Sequence, residues 1–188
     1  MTPQEEQFLQ AAKDGDMGTV KNYLSQVNME IRNKAFIYTP SADIADLLKK
    51  SGANINVTSK DTNKHHMGYH ERIYPALAIA CKENYIEKAQ WLIKEGVNLN
   101  ECEYERELVT GMSNIDNLYK LTPLMWAVKN KNLPLIKLLI NAGADISIKG
   151  HDGDISLKDC TALEMAEEYS YGEYIEIANL LKSAGAKE

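Results

Sequence analysis

Three histidines and one cysteine are the residues of this sequence best suited to bind a metal. His65 and His66 stand side by side, His70 follows four residues after His66, and Cys102 belongs to a later segment. Imidazole and thiolate groups are ligands that zinc prefers. A histidine pair followed by a third histidine at this distance matches no zinc motif, however. We therefore interpret these histidines as polar surface residues and predict neither a metal site nor a cofactor.

Calcium binding and catalysis have weaker support in the sequence. The segment Asp152-Gly153-Asp154 carries two carboxylates but lacks the further oxygen ligands and the closing glutamate of a calcium loop. A hairpin turn accounts for the same residues. The sequence contains no glycine-rich phosphate loop, no GxSxG and no HExxH motif. We predict that the protein is not an enzyme; the alternative is a ligand- or metal-binding regulatory protein or enzyme that uses loop histidines and glutamates.

Length, charge and hydropathy limit the possible partners. The chain has 188 residues, enough for one domain with a continuous core, which we place at 1–188. Its formal net charge of -6 disfavours nucleic acid, because phosphates repel an acidic protein. With no signal-peptide pattern and no membrane-spanning apolar run, we expect a cytoplasmic protein without a membrane partner; the sequence also leaves open a signal-less bacterial secretion route. Three widely spaced cysteines favour reduced thiols, at Cys81, Cys102 and Cys160.

A repeated pattern defines the elements that position these residues. Residues 121–128, LTPLMWAV, precede an apolar stretch at 135–140 and the sequence NAGAD at 141–145. The same order recurs from Pro75 to Asn100, and a related order runs from Thr161 to Ala186. The pattern resembles an ankyrin repeat, with Met125 at the histidine position of the family's TPLH motif. The resemblance implies an all-α repeat solenoid of helix-turn-helix pairs that binds other proteins.

Five such units cover the chain. In order they are an N-terminal capping repeat, a degenerate repeat, two regular repeats and a C-terminal capping repeat, at 4–30, 31–56, 73–100, 120–147 and 159–188. Thr122 and Pro123 are typical of a helix start. Four glycines stand where a helix ends in a left-handed residue, at Gly52, Gly96, Gly143 and Gly185. Charged residues on both terminal units favour a monomer, because capping repeats need a polar outer face.

The connections between the units are overlong. Successive capping glycines are 44, 47 and 42 residues apart, whereas the family repeat has about 33 residues. Apolar residues alternate along 146–157 around a turn, which predicts a β-hairpin. Glutamates alternate along 101–107, which predicts a strand with a return strand at 115–121 after a turn near Gly111. The insertion at 57–72 is polar and without alternation, and we expect it to be the most mobile. We interpret the insertions as extended hairpin fingers on one side of the stack.

The inserted segments differ in charge. Residues 98–120 contain five acidic and two basic side chains, whereas 54–73 contains three basic and two acidic ones. Two interpretations stay open at this point. The acidic arm and the mildly basic arm could steer a partner of complementary charge, or the glutamates could solvate an exposed strand and prevent edge-to-edge association.

The resemblance also indicates a binding surface. In the family's inner helix, the residue before the packed alanine tends to face the concave groove, which here selects Ile79, Trp126 and Met165. Tryptophan is a common interface anchor, although Trp126 could instead pack against a neighbouring repeat or finger. We assign the fingers' share of the site to three tyrosines and four glutamates, namely Tyr74, Tyr104, Tyr119, Glu101, Glu103, Glu105 and Glu107. The expected function is a protein-interaction module of the adaptor, inhibitor, immunity or effector type, with one or more proteins as partners.

Overall fold

The computed structural model describes the backbone of residues 1–65, 68–109, 115–153, 159–169 and 171–186. Within these ranges it also describes the side chains, apart from those of 59–65, 68–71, 106–109 and 115–118. All structural statements below concern these residues.

Helices follow one another in pairs and form two rows. The inner row consists of α1 Pro3–Asp14, α3 Met29–Tyr38, α5 Ala76–Lys82, α7 Pro123–Lys129 and α9 Ala162–Tyr169. The outer row consists of α2 Met17–Tyr23, α4 Ala42–Lys50, α6 Ile86–Lys94, α8 Leu133–Asn141 and α10 Glu173–Ser183, with a short 3-10 turn at Leu24–Gln26 after α2. Each inner helix contacts the next inner helix, and each contacts the outer helix that follows it in the chain. The chain is therefore a mostly helical repeat fold.

Local sequence signals set the ends of these helices. The Thr122 hydroxyl accepts a hydrogen bond from the Met125 amide at 3.1 Å, and Pro123 occupies the first helical position of α7. This confirms the predicted helix start. The residues after the outer helices include Gly96 and Gly143 at φ values of 78° and 89°, a region that glycine adopts without steric cost. Helix lengths are thus limited at both ends by residues that the repeat pattern supplies.

Small residues allow the inner helices to approach one another closely. The packed alanines of the three C-terminal repeats are fully buried, at Ala80, Ala127 and Ala166. Larger side chains fill the space between the two rows, among them Phe36, Leu92, Leu124 and Leu135, none of which is more than 1% exposed. One continuous core results and includes residues of all five units.

Four strands form one antiparallel sheet in the order β1-β2-β3-β4. Their bounds are β1 Thr58–His65, β2 Gly68–Pro75, β3 Glu103–Val109 and β4 Ile115–Leu121. β4 spans the predicted return strand, whereas β3 begins two residues after the start of the predicted strand at 101–107 and ends two residues after its end. The turn predicted near Gly111 lies outside the described residues. No alternation reveals β1 or β2 in the sequence. The hydrogen bonds of β2 to β3 join the two insertions into a single sheet.

The hairpin predicted for 146–157 is wrong in its first half. Residues 146–149 form a turn and an irregular segment, followed by single bridges from Gly150 to Cys160 and from His151 to Lys120. Asp145 explains the turn, because its carboxylate accepts hydrogen bonds from the Ser147 amide at 2.9 Å and from the Ser147 hydroxyl at 2.6 Å. The predicted return strand, 154–157, lies outside the described residues.

A buried lysine joins the second and third repeats. Lys88 of α6 is 0% exposed, and its Nζ donates hydrogen bonds to the carbonyl oxygens of Phe36 at 2.7 Å and Ile37 at 2.5 Å. These carbonyls belong to the last turn of α3, where they have no partner within the helix. Burial lowers the pKa of Lys88 to about 7.

This lysine should give the protein a specific pH dependence of stability. The pKa of Lys88 in the folded state, about 7, lies below the value of roughly 10.4 for an unfolded chain. Between these values the unfolded state binds more protons, so the free energy of unfolding should rise with pH, by at most about 1.4 kcal/mol per pH unit for one group. Lys88→Met removes this proton.

The measurement is urea unfolding at pH 7, 8 and 9 for the wild type, Lys88→Met and Lys94→Met. Lys94 lies on the same helix but is exposed, so its variant should keep the wild-type slope. The Lys88→Met variant should have a flatter slope. Equal slopes in all three proteins would show that Lys88 keeps its proton throughout this pH range.

Candidate functional site

The sheet packs on the inner row of helices and covers part of its surface. The ring of Tyr119 in β4 meets the ring of Trp126 in α7 edge to face, with centroids 6.3 Å apart at 78°. Lys82, in the last turn of α5, places its Nζ 4.8 Å from the Trp126 centroid and 5.5 Å from the Tyr119 centroid. Strand β4 and helices α5 and α7 therefore meet at one cluster of two aromatic rings and one ammonium group.

A partly buried ion pair anchors the sheet at this cluster. Glu103 of β3 is 0% exposed, and its Oε1 accepts hydrogen bonds from Lys82 Nζ at 2.6 Å and from the Tyr119 hydroxyl at 2.9 Å. Burial, together with the Glu103 carboxylate, raises the pKa of Tyr119 far above its ordinary value, so the phenol stays protonated and remains a donor. Removal of either charge would leave the other without its partner in a poorly hydrated site.

A second ion pair joins the two insertions. Arg72 of β2 lies opposite Glu105 of β3 in the sheet register, and Arg72 NH2 is 2.5 Å from Glu105 Oε1. The hydrogen bond to Glu105 raises the pKa of Arg72. At this position a basic residue of one arm thus pairs with an acidic residue of the other inside the sheet. The sequence shows the charges of the arms but not that the arms are adjacent. That the charges of the arms steer a partner stays a prediction.

The remaining glutamates of the predicted row differ in their surroundings. Glu101 precedes β3 and is partly buried, which raises its pKa. The side chain of Glu107 lies outside the described set, although its backbone pairs with His70. Among the glutamates whose side chains the structure describes, Glu103 and Glu105 do not belong to an exposed acidic face, because both point into contacts with the rest of the protein.

The predicted groove residues are buried as well. Trp126, Ile79 and Met165 are 9%, 4% and 0% exposed, so they offer a partner little surface. The cause at Trp126 is the sheet, whose Tyr119 covers the ring. The structure agrees with the alternative interpretation, in which Trp126 packs against a neighbouring finger, here through Tyr119. Tyr74 and Tyr104 are half-buried.

One part of the inner row stays open. A cavity of about 390 Å³ lies between the first three repeats and the sheet. It is lined by Lys13, Tyr38, Tyr74, Ile79, Lys82, Glu83 and Tyr85. We call this cavity the open pocket. Among its lining residues, only Tyr74 and Ile79 belong to the predicted site.

The sequence pattern does not identify Lys13, Tyr38 and Tyr85 because they come from three different repeats. Lys13 lies in the last turn of α1, Tyr38 ends α3, and Tyr85 follows α5. Asn84 has a φ of 58°, and this left-handed residue turns the chain so that the Tyr85 amide donates to Ala80 O at 2.8 Å. A shared position at the C-terminal ends of successive inner helices is the signal that could have found them.

Groups with metal-binding or redox chemistry are dispersed. Within the ranges that the structure describes, no three histidine, cysteine or carboxylate side chains are grouped around a possible metal site. The side chains of His65, His66 and His70 lie outside these ranges. Asp152 is nearly buried, with its Oδ2 3.8 Å from Lys129 Nζ, whereas Asp154 is not described. None of the helices described is both long and apolar enough to cross a membrane.

The anchoring ion pair can be tested with a double-mutant cycle. Lys82→Met, Glu103→Gln and the double variant should show a coupling free energy of about 1 kcal/mol or more, because Glu103 is fully buried and only 30% of the Lys82 side chain is exposed. The control cycle is Asp46→Asn with Lys50→Met. Those residues form an exposed pair one helical turn apart, for which we expect about 0.5 kcal/mol or less.

Chemical unfolding of the six variants and the wild type supplies the measurement. Equal coupling in the two cycles would mean that the Lys82–Glu103 pair anchors the sheet no better than a surface pair. Loss of Tyr119 near-ultraviolet dichroism in Glu103→Gln would independently report release of the β4 contact.

The repeats of this chain resemble those of known proteins. The family model for ankyrin repeats, in three copies, matches residues 35–150 and 77–187. An ankyrin repeat protein of Fowlpox virus (strain NVSL) is 37% identical over 71 residues, which cover 38% of this chain and 17% of the viral protein. The chain thus aligns with less than a fifth of the length of that relative. Since the family model covers more than half of the chain, the protein belongs to the ankyrin-repeat family, whose repeats generally act as protein-interaction modules.

Proposed function

We propose that this chain is a protein-binding scaffold of the adaptor, inhibitor, immunity or effector type. The partner binds along the inner helices at the open pocket and on the adjoining surface of the sheet. Ankyrin repeats are typically non-enzymatic interaction modules, and we extend this to the present chain. Its cysteines are free thiols, which supports a reducing compartment such as the cytoplasm.

The observation that carries this proposal is the anchoring of the sheet to the inner helices. Ordering two long hairpins costs conformational entropy. Much of the stability of a solenoid comes from contacts between its helices, to which the hairpins do not belong. The Lys82–Glu103 and Arg72–Glu105 pairs hold the sheet in one position beside the open pocket. A surface that is fixed before binding loses less entropy when the partner arrives. Recognition of a partner accounts for this arrangement.

The sheet also determines which of the predicted binding residues we assign to a partner. Trp126 packs against Tyr119 of the sheet, so we assign it to stability, whereas Tyr74 lines the open pocket. Tyr38 and Tyr85 join Tyr74 there as half-buried aromatic side chains. Aromatic residues at the centre of a concave surface are frequent sources of binding energy.

Affinity capture from a native lysate tests the proposal. The full-length tagged chain should retain a protein at stoichiometric ratio, and Tyr85→Ala should weaken its binding about thirtyfold, the effect of losing roughly 2 kcal/mol at an interface anchor. Tyr23→Ala is the matched control, since Tyr23 is also half-buried against the core but ends the outer helix α2. Thermal unfolding must show both variants folded. A captured protein whose affinity is equal for both variants would place the binding surface elsewhere.

We also propose that the chain is a monomer. The first helix carries the exposed Glu6 and the half-buried Glu5, and the last helix pairs its Lys182 with Glu167 at 2.6 Å, which gives both ends of the stack a charged surface. Light scattering of the purified chain should give a mass near 21.1 kDa at micromolar concentration. A stable dimer would contradict this and would direct attention to the exposed Tyr171 and Ile175 near α10.

A further inference from the structure

The lysines along the inner helices share an unusual environment. Four of them lie at or just after the ends of inner helices, and each places its Nζ within 6 Å of an aromatic ring centroid. The distances are 5.4 Å from Lys13 to Tyr38, 4.8 Å from Lys82 to Trp126, 5.5 Å from Lys129 to Trp126 and 5.0 Å from Lys131 to Tyr174. An aromatic face attracts an ammonium group but carries no net charge. It therefore orients the lysine without neutralising it.

Acidic side chains offset only some of this charge. Glu103 pairs with Lys82 from a fully buried position, and Asp152 lies 3.8 Å from Lys129. Lys13 and Lys131 are exposed, and within the described part of the chain neither forms an ion pair with a carboxylate. This surface thus keeps two oriented, unneutralised ammonium groups on a protein whose formal net charge is -6.

The open pocket has side chains suited to bind one anionic group. Lys13 and Lys82 line it with the phenols of Tyr38, Tyr74 and Tyr85, against one carboxylate, Glu83. Burial, with a smaller contribution from Glu83, raises the pKa of Tyr85, so its phenol is a hydrogen-bond donor at neutral pH. Ammonium and phenol donors together match a carboxylate, which accepts several hydrogen bonds.

The C-terminal end of a helix disfavours anions, so the carbonyl groups near this surface also matter. The carbonyls in the last turn of α3 accept hydrogen bonds from Lys88, and Cys81 O and Lys82 O of α5 accept hydrogen bonds from Asn130 Nδ2 at 3.0 and 2.7 Å. These carbonyl groups are satisfied within the protein, which weakens the negative end of each helix as seen by a ligand.

We propose that the surface along the inner helices from α1 to α7 binds an extended, acidic segment of a partner protein, with one carboxylate in the open pocket beside Lys13 and a second near Lys131. This rests on the proposed protein-binding function and names the partner's chemistry. From α1 to α7 are three inner-helix steps of about 8–10 Å each. An extended segment of roughly eight or nine residues, at about 3.3 Å per residue, spans that length.

Synthetic peptides test the charge preference without knowledge of the partner. The probe is a blocked, fluorescent nonapeptide of three Asp-Gly-Leu units, compared with versions in which Asn or Lys replaces Asp. Leucine supplies an apolar contact for the tyrosine rings in all three. By fluorescence anisotropy the acidic peptide should bind at least about fivefold more tightly than the Asn peptide, the upper range for one exposed ion pair. Raising the salt concentration should reduce this preference.

Matched lysine variants locate the effect. Lys13→Gln and Lys131→Gln should each reduce the preference for the acidic peptide by up to about fivefold. Lys21→Gln and Lys137→Gln are the controls, because these exposed lysines lie on the outer helices of the same two repeats. Equal losses in all four variants would mean a non-specific charge effect and would overturn the proposal.

The remaining outcomes separate this inference from the proposed function. Equal binding of the acidic and Asn peptides, or tighter binding of the Lys peptide, overturns the acidic preference, as does no measurable binding of any peptide at millimolar concentration. The protein-binding function itself stands or falls with the Tyr85→Ala capture experiment, which does not depend on the charge of the partner.

Discussion

The carbonyl groups at the ends of the inner helices impose the constraint on which this fold depends. The inner helices α5 and α7 have only seven residues each, so most of their carbonyls find no amide within the helix. Backbone amides of the following turn bind several of these carbonyls, and side chains of the following repeat supply further donors. Lys88 binds the end of α3, Asn130 binds the end of α5, and the Tyr174 hydroxyl donates to Lys129 O of α7 at 3.3 Å. The second, third and fourth repeats are thereby each completed by the next repeat, which fixes the spacing of the stack more specifically than apolar packing alone.

The sheet depends on that spacing. Because α5 and α7 are held side by side, Lys82 from one and Trp126 from the other meet beneath Tyr119, and Glu103 can reach the ammonium group. Among the described side chains of the insertions, Glu103 and Glu105 are then used in contacts inside the protein. The sheet leaves uncovered the part of the inner-helix surface around Lys13, Tyr38 and Tyr85.

Helix pairs were predictable from the sequence because their signals are local. Thr122 and Pro123 act within one turn of α7, and Gly96 acts through its own φ. The strands of the second insertion were accessible for the same reason, since alternating glutamates lie within a single strand. By contrast, β1 and β2 are stabilised by pairing with each other and with β3, so their own residues carry no strand pattern.

The candidate site was much less predictable, for a related physical reason. The position of Trp126 within its repeat correctly indicates the inner-helix surface, but a covering Tyr119 from an insertion cannot be inferred from that position. The burial of Lys88 is likewise decided by α3 of the preceding repeat, and its side chain alone would favour an exposed position. Contacts between units therefore determine the site, whereas the sequence pattern describes each unit separately.

Pairing of β2 with β3 also limits how this protein can change its length during evolution. Solenoids commonly gain or lose whole repeats, because each unit touches only its neighbours. Here the two paired strands flank the third repeat, entering it through Pro75 and leaving it towards Leu121. Neighbouring strands must stay about 4.8 Å apart, whereas an added helix pair would separate them by about another 8–10 Å. Duplication of the third repeat would therefore separate β2 from β3 and break the sheet.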